Sequence, residues 1–443
     1  MMDKDSKEQH DKTSFHGHWL ALVLIICFGL WSWHVAHMRT QLRVGSFVGS
    51  PWNVPSSDGY AVMDAAIRSF EAEHPDVDVT YVSGIKPEDY SEWLAEQILA
   101  GTEPDVFLVL DDDFEAYASM GAIRNLSDLI SLDKGFDEDG FYPALLEYGR
   151  KGGNLYALPV ECAPTLMFVN KTLLIREGIE MPAENWTWQD FYDICARVTR
   201  DTDGDGKLDQ FGMYGYDWDL AVTSNGGGLF NLERRACHFT APNVEQSVQF
   251  VMQLKKLQQG HEVTGREVDQ GRVAFRPFNF AEYKTYKPYP WRIKKFSNSE
   301  WDCVRLPAGP SGKNVSPVST LLLAMSDRTA ETGLAWQLMK KITMDPEVQR
   351  TVLEKSQGLP VRREVVLKAA KARWGWGASG SESVNLDAVS SIMDEAVSHP
   401  KFRDHESVIM MAENAIQKIY AEDRPLSNSL HKLQKEVNAY MQR

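Results

Sequence analysis

Basic residues are in short supply along this chain: 47 Lys and Arg stand against 62 Asp and Glu, for a net charge of −15. A protein that holds a phosphate backbone needs clustered cations to displace counterions, so this balance argues against nucleic acid as a partner. Cysteine is scarce too. The five, at 27, 162, 195, 237 and 303, form no C-x-x-C pair and no zinc spacing, which leaves them as small buried hydrophobes or as disulfide partners that sequence cannot pair. Signatures of catalysis are missing. There is no H-E-x-x-H, no G-x-S-x-G elbow and no dinucleotide fingerprint, and Gly309-Pro-Ser-Gly-Lys-Asn314 lacks the spacing and the Ser or Thr of a phosphate loop. No internal repeat is present either. These absences point away from an enzyme.

What is there is ordinary globular composition. With 443 residues, 43% hydrophobic and 25% charged, the chain exceeds what one core usually organises, and about two domains are expected. The run from Trp19 to Ala36 is apolar apart from Ser32 and His34; at about 1.5 Å rise per residue it approaches the thickness of a bilayer's hydrocarbon core. Trp19, Trp31 and Trp33 suit the two interfaces. The expectation is a tail at 1–18 and one retained transmembrane helix at 19–36. A cleaved signal peptide is the competitor, although Val35-Ala36-His37 is a poor cleavage site. Lipidation at Cys27 competes as well, although Ile26 stands where a small residue is wanted. Lys4, Lys7 and Lys12 on one side face Arg39 and Arg43 on the other, so charge does not decide the orientation.

From Leu42 to Val48 the pattern is a strand, followed by a polar turn and a helix with Met63, Ile67 and Phe70 on one face. A strand at Val77–Val82, a helix carrying Tyr90, Leu94 and Ile98, and an apolar strand at Asp105–Leu110 complete a β-α-β-α-β series, which predicts a parallel sheet. Open parallel sheets place ligand loops beyond the carboxyl ends of their strands. That rule selects Gly49-Ser-Pro-Trp52-Asn53 and Asp111-Asp112-Asp113. A new unit opens near Leu158-Pro159, Leu321–Met325 reads as a strand, and Thr329–Ile342 carries Leu334 and Leu338 at helical spacing.

Several phrases in fixed order then resemble one family. They include Phe70-Glu-Ala-Glu-His-Pro-Asp-Val77, Gly101-Thr-Glu-Pro-Asp-Val-Phe107, Tyr156-Ala-Leu-Pro-Val-Glu161, Trp186-Thr-Trp-Gln-Asp-Phe191, Gly271-Arg-Val-Ala-Phe275, Asp345-Pro-Glu-Val-Gln349 and Gly358-Leu-Pro360. From about Leu42 to the C-terminus the chain resembles bacterial extracellular solute-binding proteins of the sugar-binding type, the receptors of ABC importers, related to maltose-binding protein. The resemblance implies an α/β, two-lobed periplasmic-binding-protein-like (type II) fold with hinge crossovers, here preceded by the N-terminal transmembrane helix. It implies one lobe from 42–158 plus 305–362 and another from 159–304 plus 363–443, with the main body outside the membrane. Ligand contacts split between two lobes make binding energy available only on closure, which gives a partner a shape to read.

The same resemblance assigns candidate ligand-binding residues. Asp112 and Asp113 match the polar pair after the third strand, Glu161 matches an acidic position just inside the second lobe, and Tyr216, Asp219 and Asn225 lie in a stretch similar to one carrying a stacking aromatic and an amide before Gly-Gly. Trp52 joins them from its strand-end loop. Sugars present hydroxyl groups to charged or amide side chains and a ring face to aromatics, so both kinds are needed together. Plainer readings stand beside these: the aspartates as acids at a helix N-terminus, and Trp52 as a core or rim residue. Tyr283, Tyr286, Tyr289 and Trp291, interleaved with Lys284, Lys287, Arg292, Lys294 and Lys295, read as a face for an anionic ligand or as a solvated loop.

No cofactor is expected. Asp201, Asp203, Asp205 and Asp209 are spaced as in a calcium loop, but Gly212 stands where the bidentate glutamate belongs, and a plain turn is the stronger reading. The expected function is capture of a small solute, a mono- or oligosaccharide, for an ABC importer permease. The alternatives are a membrane-tethered sensor and, further off, a glycoside hydrolase using Asp112 and Glu161.

Overall fold

The computed structural model describes residues 39–55, 60–81, 84–231, 235–286, 299–372, 385–399, 402, 404–422 and 425–442. The tail expected at 1–18, the span at 19–36 and Cys27 lie outside them. Among the described residues no helix is long and apolar enough to cross a membrane.

The first strands are β1 (Thr40–Gly45), β2 (Val77–Tyr81) and β3 (Val106–Val109), and β1 pairs in parallel with both of the others. The helix Ala61–Glu73 buries Met63, Ala66, Ile67 and Phe70, and the helix Pro87–Ala100 buries Tyr90, Leu94 and Ile98. These are the apolar stripes of period 3.6 that the sequence displays. All four residues of β3 are buried, as a central parallel strand covered on both faces requires.

A short hairpin, β4 (Arg150–Lys151) with β5 (Asn154–Leu155), leads into β6 (Ala157–Asn170), the longest strand of the described chain. Beyond it lie β7 (Phe211–Met213), the small hairpin β8 (Phe230–Asn231) with β9 (Ala236–Cys237), β10 (Val273–Asn279), β11 (Trp301–Val304), β12 (Pro317–Met325), β13 (Leu359–Pro360) and β14 (Val397–Ser398). The main path runs β2-β1-β3-β12-β6-β10-β7. Its centre is β6, which pairs antiparallel with β12 from Ala157 to Pro164 and with β10 from Thr165 to Val169. One strand therefore serves two sheets, each with its own core. The first core takes Val44, Phe70, Phe107, Leu158 and Leu322; the second takes Val169, Trp186, Phe191, Tyr216 and Phe275.

The chain changes sheets at Pro164/Thr165, where pairing of β6 passes from β12 to β10. The helices Arg363–Lys371 and Leu386–Asp394 bury Val366, Val389, Ile392 and Met393 in the first core, while the helices His405–Glu422 and Leu426–Met441 bury Ile416, Ile419, Leu433 and Val437 with Trp218 and Val248 on the second side. The four described cysteines, 162, 195, 237 and 303, are buried and unpaired.

Candidate functional site

After β1 the chain turns through Ser46–Pro55, where Gly49 and Asn53 take the positive φ values that these two residue types tolerate. The turn sets Gly49, Ser50 and Pro51 over a recess completed by Phe47, Met63, Leu108, Val160, Glu161, Leu321 and Ser356. Its volume of about 60 Å³ admits a few waters and falls far below the roughly 300–1,000 Å³ of small-molecule sites. A solute at these strand ends must therefore be covered from elsewhere as well.

Two of the sequence candidates meet here. Trp52 donates its indole N–H to Glu161 Oε1 at 3.1 Å. Glu161 is 7% exposed, its other oxygen accepts from the Ser356 hydroxyl, and Ser356 Oγ in turn accepts the Gly358 N–H at 3.0 Å. Gly358 sits at a close approach: a Cβ there would lie 3.0 Å from the Cys162 carbonyl oxygen and 3.3 Å from Glu161. Burial holds the Glu161 carboxyl above its ordinary value, against the pull of Ser356, Lys284 and Trp52. Lys284, on the helix Phe280–Tyr286, donates to the carbonyls of Leu353 at 2.9 Å and Ser356 at 2.6 Å, so it closes the end of the helix Pro346–Lys355. Burial pulls its ammonium down to about 8, while Glu161 pulls it back up.

The other candidates are placed differently. Asp111, Asp112 and Asp113 form the first turn of the helix Asp111–Met120, where a carboxylate complements the helix dipole. Asp113 accepts from Ser91 Oγ at 2.5 Å, and burial raises its carboxyl. Tyr216 is fully buried in the second core, bonded through its hydroxyl to Trp188 Nε1 at 3.1 Å and packed on Phe191. Its ring is enclosed by protein and presents no face to a solute in this structure. Asn225 is equally buried. It donates to the Asn243 carbonyl at 2.8 Å and accepts from the Ser311 N–H at 2.8 Å, so its amide brackets the segment returning from β11 to β12. Gly312 lies so close that a Cβ would sit 2.0 Å from the Ser224 carbonyl oxygen. Asp219 is exposed at its surface, yet protein crowds it and Asp217 and Glu413 add like charge; burial first and those charges after it push its carboxyl up to about 6. Its open surface lets water screen part of that effect.

In the acidic loop the carboxylates of Asp201, Asp203 and Asp205 come within 4.8 Å of one another. Asp201 accepts the N–H groups of Gly204 and Gly206, each at 2.7 Å, while Asp209 turns to Thr202. The Asp201 bonds close local turns, and the Asp209 bonds join the two ends of the loop. Of the aromatic and basic cluster, Tyr283 stacks on Phe168 with ring centroids 4.5 Å apart. Lys287, Tyr289, Trp291, Arg292, Lys294 and Lys295 lie outside the described residues. Lys284, read from sequence as facing a ligand or solvent, instead turns into the protein.

Ser356 and the inward role of Lys284 were not legible in the sequence. The only hint is that Ser356 precedes the Gly358-Leu-Pro360 phrase by two residues, while the partner it needs lies far away on β6.

Comparison with known proteins agrees with this architecture. An uncharacterized lipoprotein of Streptomyces antibioticus is 25% identical over 223 residues, 48% of this chain and 45% of that protein, so the chain matches about half the length of that relative. The sugar-binding protein MalE of Xanthomonas citri superposes with a TM-score of 0.74 at 16% identity, covering 91% of this chain and 97% of that one. A binding protein for cyclic α-maltosyl-1,6-maltose from Arthrobacter globiformis gives 0.72 at 16% identity, covering 91% and 99%. At that identity the likeness shows the fold. The sequence pattern of the bacterial extracellular solute-binding proteins matches residues 54–346, well over half of the sequence, and the chain belongs to that family.

Proposed function

We propose that this protein captures a carbohydrate outside the cytoplasm and presents it to an ABC importer, with residues 19–36 as its tether. One observation carries the reading: at the carboxyl ends of β1 and β3 an indole and a carboxylate are held together, Trp52 against Glu161. An aromatic face beside a fixed acceptor is what a sugar's ring and hydroxyl groups require. The recess beneath is too small to enclose a ring, so the solute lies outside it, against Trp52, and the second core supplies the opposite wall. Asp112, at the end of β3, is the further hydroxyl acceptor, and Asp219 is the candidate from the second side. The two matched binding proteins named for saccharides support the ligand class. Glycoside hydrolysis is the weaker reading, because Glu161 is already engaged by Trp52 and Ser356.

Calorimetry of the full-length chain in detergent against a panel of mono- and oligosaccharides tests the proposal. Binding of at least one sugar is expected, weakened about tenfold or more by Trp52→Ala. Heat with a peptide, a polyamine or an anion but with no sugar overturns the carbohydrate assignment and leaves the family untouched.

A further inference from the structure

The contacts of Glu161 raise the question of what keeps a buried carboxylate aimed at an indole. An ionised carboxylate at 7% exposure is costly unless it is paired and hydrogen-bonded. Three separate stretches of chain meet that cost. Ser356 gives a hydroxyl to one oxygen, Trp52 gives its N–H to the other, and Lys284 supplies the nearby positive charge while anchored on the carbonyls of Leu353 and Ser356. The Trp52 backbone N–H bonds to Ser50 Oγ within its own loop, at 3.2 Å, and its indole N–H ties that loop to β6 through Glu161.

We propose that Lys284 and Ser356 are positioning residues for the ligand-facing tryptophan: acting through Glu161, they hold the Trp52 indole in the orientation that a sugar ring meets. The proposal rests on the carbohydrate reading of the cleft and adds two residues that touch no ligand. Its physical content is a chain of dependence. The Lys284 charge favours the ionised form of Glu161 against the burial that raises its carboxyl, Ser356 engages one oxygen and leaves the other to Trp52, and an ionised acceptor makes the indole bond about twice as strong as a neutral one. With the cation gone, Glu161 takes up a proton more readily, its oxygen becomes a poorer acceptor, and the Trp52 loop loses its tie. Because Glu161 is on β6 and Ser356 follows the helix Pro346–Lys355, the orientation of the indole is set at the strand that joins the two sheets.

Two readouts test this on the full-length chain in detergent. The first needs no ligand. In protein labelled with ¹⁵N-tryptophan, the Trp52 indole N–H resonance, identified by its disappearance in Trp52→Phe, is expected to move in Ser356→Ala and again in Lys284→Met. A resonance that stays in place in both variants overturns the proposal. The second readout is calorimetry with whichever panel sugar binds the unaltered chain. Ser356→Ala is expected to weaken binding about fivefold, and the same substitution in a Trp52→Phe background is expected to have no further effect, since phenylalanine has no N–H to be held. Equal losses in both backgrounds would show general loosening and sink the positioning role. Should no sugar bind the unaltered chain, the carbohydrate reading fails, while the resonance still decides whether Lys284 and Ser356 hold Trp52.

Discussion

At β6, where the chain first passes between the sheets, the bracket is ionic: Glu161, Lys284 and Ser356 are gathered from three distant segments around one buried carboxylate. Where residues 305–316 return to β12, the bracket is neutral, built from the amide of Asn225, the backbone of Ser311 and two glycines packed against it. The resemblance to known receptors had marked both Glu161 and Asn225 as ligand contacts. The two differ in chemistry: the charged node accepts the Trp52 indole N–H, whereas the neutral one spends its amide on Asn243 and Ser311 inside the protein. A charged bracket responds to protons and to whatever touches its indole; a neutral one only holds.

The sharpest way to break that contrast is at the neutral crossing. Gly312→Ala sets a methyl 2.0 Å from the Ser224 carbonyl oxygen, so the returning segment must shift, and a loss of about 3 kcal/mol in urea unfolding is expected. Asn225→Ala comes next. It empties a fully buried amide position and removes the acceptor of the Ser311 N–H and one of the donors to the Asn243 carbonyl, which keeps the Ser247 hydroxyl, at a cost of about 2 kcal/mol that does not vary with pH.

The ionic crossing predicts a different signature. The ammonium of Lys284 is pulled from 10.5 down to about 8, so between those values the unfolded chain holds the proton more tightly than the folded one. Its contribution to stability is therefore lowest below about pH 8 and recovers as the pH climbs, by up to about 1 kcal/mol per pH unit. The rise is expected in the unaltered chain and in Asn225→Ala but not in Lys284→Met. Parallel slopes in all three would erase the distinction between the two brackets. The smallest effect is expected at Asp219, whose ionisation is opposed by burial and by Asp217 and Glu413. Because its folded value is raised, its cost appears as the pH rises; Asp219→Asn should stabilise the chain by a few tenths of a kcal/mol at neutral pH, screened by water, and by nothing below about pH 4.

Much of the first core could be read in advance. The stripes of Met63, Ile67 and Phe70 and of Tyr90, Leu94 and Ile98 are buried as their spacing requires, and the strands around them are parallel. The position of Trp52 in the loop beyond β1 was also legible, because that loop depends only on where β1 stops. Tyr216 shows where such reading ends. A tyrosine near Gly-Gly looks the same in sequence whether its ring faces a solute or fills the aromatic cluster of Trp188, Phe191 and Phe250, as it does here.

By itself, then, the sequence determined the alternation of strands and helices, the parallel start of the sheet, the family and the loop that carries Trp52, since all of these follow from local periodicity or from phrases of neighbouring residues. Tertiary structure alone decided that the chain changes sheets within β6, that the helices Arg363–Lys371 and Leu386–Asp394 stay with the first core, and that Lys284 turns inward beside Glu161. Those outcomes depend on segments more than a hundred residues apart meeting at one strand, and no local pattern encodes which distant partner will satisfy a buried charge.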